Sequence, residues 1–377
     1  MSQSNARIRQ AKPVEDGAEI AFENGASGVF PWLWLRDHAE DEASLDPQTL
    51  QRRVDTFALS ESTRAARLDV TRDGAYLHVD WGDGGPGSTL SGALLERMIN
   101  AREREVERAG GRRLWRKREQ ANHHCALGFA DVVESDSGRA ECLERIDAWG
   151  FALIEGVPPH EAASRSLFER FGYLRETLFG GLWRLSAELL EHEDTAYSRS
   201  FLGPHTDATY SHDAPGLQSF VCLEFDGSGG ESVLVDGFAA AAALRRESPR
   251  HYETLTRVDV PGRYVEPGVS LLAQRPVLRL GASGEVIQVS FNNYDRAPFL
   301  LPAPEMREFY AAYRAFNALV NDRSSWLEIP LRPGAALVFD NWRTLHGRLE
   351  YTGKRVFCGC YHNREDFESA LRVCRGE

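Results

Sequence analysis

The segment Pro204-His205-Thr206-Asp207-Ala208-Thr209-Tyr210 places an imidazole and a carboxylate two residues apart. Side chains alternate faces along a strand, so positions i and i+2 point the same way. His205 and Asp207 are therefore expected to converge. Two donors hold a redox metal poorly, and the segment Phe339-Asp340-Asn341-Trp342-Arg343-Thr344-Leu345-His346-Gly347-Arg348 can supply a third, His346. Two imidazoles and one carboxylate form the facial ligand set of non-haem iron(II) oxygenases, which leaves three metal positions open. An H-x-D triplet alone more often marks a surface loop or a helix cap. Its weight depends on the elements that would bring these residues together.

Those elements are short and numerous. Residues 219–223, 232–235, 277–280, 286–291, 335–339 and 355–361 are apolar runs bounded by turn residues, and they read as strands. Residues 142–149 form an amphipathic helical pattern, and 150–157 a buried strand with a Gly/Pro stop. Residues 167–172 read as a helix ending in glycine, and 304–322 as a helical insert. The chain is thus mostly β with flanking helices. Many short strands punctuated by turns predict a double-stranded β-helix, or jelly roll, with the metal site in its mouth. That architecture can bring His346 beside Asp207 across a long gap.

Upstream, residues 18–22 followed by Glu23-Asn24-Gly25 give a strand and a hairpin turn, and residues 75–81 alternate as a second strand. His38 and His78 lie far from any cysteine and read as surface or packing residues. Residues 90–108 are a charged helical pattern that stops at Ala109-Gly110-Gly111, and a basic stretch follows. The predicted division is a small β-rich N-terminal domain over 1–100, a charged helical connector over 101–139, and the jelly roll over 140–377.

Composition narrows the function. The 377 residues carry a net charge of −12, which argues against nucleic-acid binding. No apolar run approaches the length of a membrane span. The first thirteen residues lack the apolar core of a secretory leader, so a cytoplasmic location is expected. The six cysteines, Cys125, Cys142, Cys222, Cys358, Cys360 and Cys374, follow no disulfide or zinc spacing and read as buried reduced thiols.

Several segments together resemble the γ-butyrobetaine/trimethyllysine hydroxylase family of 2-oxoglutarate-dependent oxygenases. They are Trp34-Leu35-Arg36-Asp37-His38, Asp194-Thr195-Ala196-Tyr197, His205-Thr206-Asp207, Gly229-Gly230, Val235-Asp236-Gly237-Phe238, Asn292-Asn293-Tyr294-Asp295-Arg296, and the run from Asp340 to Arg348. Asp194-Thr195-Ala196-Tyr197 and Cys358-Gly359-Cys360-Tyr361 are similar to the trimethyllysine branch. The likeness spans nearly the whole chain. One departure stands out. Family members carry zinc-binding cysteines after the Trp-Leu-Arg-Asp segment, and here residues 39–44 read Ala-Glu-Asp-Glu-Ala-Ser. Carboxylates alone hold zinc poorly, so no structural zinc is expected.

The resemblance implies Fe(II) on His205, Asp207 and His346, with 2-oxoglutarate and O2 as co-substrates. Arg355 matches the position that pairs with the far carboxylate of 2-oxoglutarate, and Ser232 is placed to add a hydroxyl. Arg343 and Arg348 compete for that role and read as structural. A quaternary ammonium has no N–H to donate and is recognised on aromatic faces. The implied cage is Phe179, Trp183, Tyr197 and Tyr361. Asn292 and Asn293 are implied at the substrate's anionic end. Asp194 stands where γ-butyrobetaine hydroxylases carry an amide, and it would suit a second ammonium, as in trimethyllysine, or support the trimethylammonium itself in a shorter substrate. Arg184 reads as a solvated surface residue, with contact to a doubly charged anion as the alternative.

The implied activity is hydroxylation of a small trimethylammonium zwitterion. 2-(Trimethylammonio)ethylphosphonate and γ-butyrobetaine rank level as candidates, with trimethyllysine next. A non-catalytic quaternary-ammonium sensor and a zinc hydrolase are the readings from other classes. No nucleic-acid or membrane partner is expected, and a homodimer is compatible with the family.

Overall fold

The computed structural model describes residues 6–100, 111–116, 126–188 and 198–376. The chain divides into two compact units, residues 1–108 and 109–377. The first holds two three-stranded antiparallel sheets. One is β1 (Ile8–Val14), β2 (Gly17–Phe22) and β3 (Ser27–Pro31), and the other is β4 (Arg67–Val70), β5 (Tyr76–Asp80) and β6 (Ser88–Ser91). The β2–β3 hairpin turns at Glu23-Asn24-Gly25, where Gly25 takes φ 90°. Ile20, Phe22, Trp32, Leu35, Leu77 and Leu90 form its core. Residues Glu40 and Asp41 are tied to β6: their carboxylates accept the backbone N–H groups of Ser91 (2.6 Å) and Thr89 (3.2 Å). His38 stacks on Trp34 at 4.3 Å, and His78 bonds Thr89.

The second unit has strands β7 (Leu127–Gly128), β8 (Phe151–Glu155), β9 (Trp183–Leu185), β10 (Leu202–His205), β11 (Leu217–Phe225) and β12 (Ser232–Asp236). They are followed by β13 (Asp259–Glu266), β14 (Val269–Pro276), β15 (Leu278–Leu280) and β16 (Val286–Val289). The last four are β17 (Leu327–Ile329), β18 (Ala336–Asp340), β19 (Thr344–Arg348) and β20 (Arg355–His362). The large sheet runs β7-β8-β18-β11-β20-β9 and the small one β10-β19-β12-β17. From β10 to β12, and again from β17 to β20, the chain alternates between the sheets, which is the winding of a jelly roll.

Strands β12, β18 and β20 are buried at every residue. Their inner faces meet through Leu234, Leu337, Phe339 and Phe357. The outer face of the large sheet packs on helices Asp136–Trp149, Glu161–Phe168 and Arg364–Arg375, through Leu143, Ile146, Leu167 and Phe367. The small sheet packs on Gly237–Glu247, Pro249–Arg257 and Ala303–Val320, through Phe238, Leu255, Phe309 and Phe316. Burial on both faces explains why these strands read as apolar runs without alternation.

Several expectations need correction. Residues 127–139, expected as connector, form β7, the helix Phe129–Glu134 and the start of Asp136–Trp149. Residues 101–110 and 117–125 lie outside the described residues. The helix expected over 167–172 runs instead over Glu161–Phe168, because the His160 ring accepts the Ala163 N–H at 3.2 Å and starts it early. The β13–β14 hairpin, paired from Asp259–Pro276 to Glu266–Val269, adds two strands to those expected.

One buried ion pair locks the entry to β19. The Arg343 guanidinium donates to both oxygens of Asp236, at 3.2 and 2.9 Å, and each residue is 1% exposed. Its other N–H groups reach the carbonyls of Arg113, Asp147 and Ala148. Asp236 also accepts from the N–H groups of Phe238 and Ala239, capping the following helix, and from Trp115. Breaking such a pair from one side leaves an uncompensated buried charge. Arg343→Met is expected to cost about 3–5 kcal/mol in urea unfolding.

Candidate metal centre and adjoining cleft

His205 ends β10 and stands directly opposite His346 on β19, whose other neighbour is Leu234 of β12. The two imidazole rings lie 4.4 Å apart. Asp207 falls beyond the strand end, so alternation along a strand does not bring it in. A turn does. The Thr206 hydroxyl accepts the Phe291 N–H, the Thr206 N–H donates to the Phe291 carbonyl, and Ala208 takes φ 58°. The side chain of Asn341 then holds the Asp207 peptide from both ends: its oxygen accepts the Asp207 N–H (2.8 Å), and its NH2 donates to the Asp207 carbonyl (3.2 Å) and to Pro215 (3.1 Å).

As a result Asp207 Oδ1 lies 3.3 Å from His205 Nε2 and 3.7 Å from His346 Nε2. Donor atoms of the three side chains all fall within 4.8 Å of one another, the one such group of three among the described residues. Burial pushes the His346 pKa down to about 3, so the ring is neutral and able to ligate. Burial would raise the Asp207 pKa, but the charges of His346 and His205 and hydrogen bonds from His205 and Tyr361 hold it below the usual carboxylate range. Burial would lower that of His205, and the hydrogen bond and charge of Asp207 outweigh it. A carboxylate kept ionised between two imidazoles, all nitrogen and oxygen donors, fits iron(II).

The triad opens into a cleft of about 1030 Å³, open solvent at its mouth included. Arg355 and Ser232 line it. Arg355 is 7% exposed, lies 3.9 Å from the Phe357 ring, and has no carboxylate within ion-pair distance among the described residues. Burial pulls its pKa down to about 10, so it stays charged at neutral pH. Arg343 is occupied by Asp236. Arg348 reaches the cleft but donates to the carbonyls of Ser198 and Ser200 at 2.6 and 2.8 Å. Arg184 is exposed on the face of β9 opposite to Trp183.

Phe179, Trp183 and Tyr361 also line the cleft. Trp183 packs 5.5 Å from both Tyr361 and Phe220, and Phe179 lies 6.1 Å from Tyr264. Trp183 lies across Gly359 of β20: a Cβ there would come within 2.2 Å of its ring. Asp194 and Tyr197 lie outside the described residues. Asn292 lines the cleft, but its NH2 donates to Asp295 (2.8 Å) and its oxygen accepts the Tyr294 N–H. Asn293 is exposed and accepts from Arg296, so the expected pair of asparagines reduces to one. Two consecutive residues in an extended turn cannot both face inward.

Sequence reasoning passed over Asn341, Gln218, Tyr210 and Asp295, all of which touch the triad or line the cleft. Asn341, Asp295 and Tyr210 lay inside segments already singled out. Nothing in a single sequence marks Gln218.

Residues 119–361 match the family model described as Taurine catabolism dioxygenase TauD, TfdA family. Over its full length the chain is similar to a trimethyllysine dioxygenase of Meyerozyma guilliermondii, 31% identical over 99% of this chain and 97% of that protein. The mitochondrial trimethyllysine dioxygenase of Gallus gallus is 32% identical over 91% and 83%. The γ-butyrobetaine dioxygenase of Pseudomonas sp. strain AK-1 is 30% identical over 97% and 96%. The chain belongs to the TauD/TfdA family, and with this triad it is an Fe(II)- and 2-oxoglutarate-dependent dioxygenase. Within that family its full-length likeness is to enzymes named for trimethylammonium compounds.

Two substitutions test the geometry. Asn341→Ala is expected to weaken Mn(II) binding about 10–100-fold, read by titration, since support of a ligand carries that much affinity. Gly359→Ala is expected to displace Trp183 and raise the substrate KM about 10–100-fold, leaving the 2-oxoglutarate KM nearly unchanged.

Proposed function

We propose that this enzyme hydroxylates a trimethylammonium amino acid, with trimethyllysine as the substrate, using 2-oxoglutarate bound through Arg355. The observation that carries the reading is a single cleft that holds the triad, a buried Arg355 lacking a carboxylate partner among the described residues, and the rings of Trp183, Tyr361 and Phe179. A planar guanidinium takes a carboxylate by two hydrogen bonds, and desolvation strengthens both. Ser232, on the strand beside β19, adds a hydroxyl to the same end. Aromatic faces take the quaternary ammonium.

Asp295 shifts the order of candidates. It lines the cleft and bonds Asn292, so the wall expected to meet an anion carries a carboxylate. A wholly anionic substrate end is repelled there, whereas an amino acid brings an ammonium beside its carboxylate. Trimethyllysine therefore stands ahead of γ-butyrobetaine and the phosphonate. Relatives named for trimethyllysine and one named for γ-butyrobetaine match at similar identity, so the ordering rests on Asp295.

Iron(II) on the triad, with 2-oxoglutarate and O2, supplies the oxidant: one oxygen atom enters the substrate as hydroxyl and the other enters succinate, with release of CO2. The chain's own residues bind, orient and exclude water. Arg355 anchors the co-substrate. Phe220, Leu337, Phe339 and Phe357 give the interior an apolar lining. Trp183 and Tyr361 fix which part of the substrate faces the triad.

Succinate release measured with trimethyllysine, γ-butyrobetaine and 2-(trimethylammonio)ethylphosphonate should be stimulated most by trimethyllysine. No stimulation by any of the three would overturn the reading. Arg355→Gln is expected to raise the KM for 2-oxoglutarate at least about 30-fold, from the loss of roughly 2 kcal/mol in a desolvated charged contact. His346→Ala should abolish turnover.

A further inference from the structure

The aromatic wall of the cleft and the metal site share one residue. Tyr361 presents its ring to Trp183, at 5.5 Å, while its hydroxyl donates to Asp207 Oδ2 at 2.7 Å. The other carboxylate oxygen, Oδ1, is the one turned toward both imidazoles. The direction of the hydroxyl is set from behind. Gln218 stands directly opposite Tyr361 in the β11–β20 register, is 2% exposed, and donates its amide N–H to the phenol oxygen at 3.4 Å. With that donor on the oxygen, the phenolic proton goes to Asp207.

We infer that Tyr361 is a positioning residue for the metal, holding Asp207 as a one-oxygen ligand while its ring forms part of the substrate wall. This rests on the iron reading above. A carboxylate free to rotate can bring both oxygens to a divalent cation, as carboxylates do in calcium sites. Here that rotation breaks a charge-assisted hydrogen bond, about twice as strong as a neutral one. The second restraint is Asn341, which fixes the Asp207 backbone, while on the carboxylate itself His205 meets Oδ1 and the Tyr361 hydroxyl holds Oδ2. Keeping the carboxylate to one oxygen keeps three metal positions open for the two donors of the keto acid and for O2. Because the ring belongs to the substrate wall, whatever displaces the ring also disturbs the ligand.

The test is Tyr361→Phe in the full chain, which keeps the ring and removes only the hydroxyl. Co(II) serves as the probe metal without any substrate. The expected result is Co(II) affinity lowered about 10–100-fold and a visible d–d spectrum changed from that of the parent, with thermal unfolding nearly the same. γ-Butyrobetaine or trimethyllysine binding to the Co(II)- and 2-oxoglutarate-loaded protein, at saturating metal, should change less than about 3-fold. Unchanged Co(II) affinity and spectrum, with substrate binding lost, would show that Tyr361 is a wall residue only and overturn the inference. A parent protein that binds neither Co(II) nor 2-oxoglutarate would instead overturn the iron reading, so the two failures are distinguishable. Gln218→Leu provides a second variant: it should change the Co(II) spectrum in the same direction and by less.

Discussion

The antiparallel pairing of β10 with β19 is the constraint on which the site depends. It sets His205 directly opposite His346, where cross-strand neighbours lie on one face within reach of a common ion. A shift of one residue would turn either imidazole to the opposite face. The register is held at the β19 end by Arg343, whose buried pairing with Asp236 precedes the strand by one residue. That pair is fully hydrogen-bonded, the condition under which a buried ion pair is tolerated.

The two sheets divide the work. The small sheet carries both imidazoles and Ser232, and the large sheet carries Trp183, Gln218, Tyr361 and Arg355. Asp207 is the joint between them. Its backbone follows β10 of the small sheet, yet it is held by Asn341, which follows β18 of the large one, and by Tyr361 of β20. The carboxylate therefore reports the spacing of the sheets as well as the position of its own loop. Burial makes these contacts strong, because a charged acceptor away from water gains more from each donor.

The cleft carries both signs of charge. Arg355 brings an uncompensated positive charge to the cleft, because no carboxylate among the described residues pairs with it and burial lowers its pKa only to about 10. Asp295 and Asn292, joined by a hydrogen bond, add a carboxylate and an amide to the lining. Trp183 keeps its position because Gly359 leaves its backbone bare, so the ring lies against the strand itself.

Much of this was legible in the residues. The strands with unbroken apolar runs, the Asn24-Gly25 hairpin and the helical insert follow from periodicity and turn chemistry, which are local properties. The donor set His205, Asp207 and His346 was recognisable by type, and Arg355 by its resemblance to a known pattern. The geometry behind them was not. Asp207 reaches the triad through a turn and an Asn341 clamp, not through strand alternation. Asn293 points to solvent although it is adjacent to Asn292. Tyr361 read as an aromatic wall, and its hydroxyl proved to belong to the carboxylate. Side-chain type is written along the chain, but the partner of a hydrogen bond is chosen by register and by the packing of two sheets, and both are long-range.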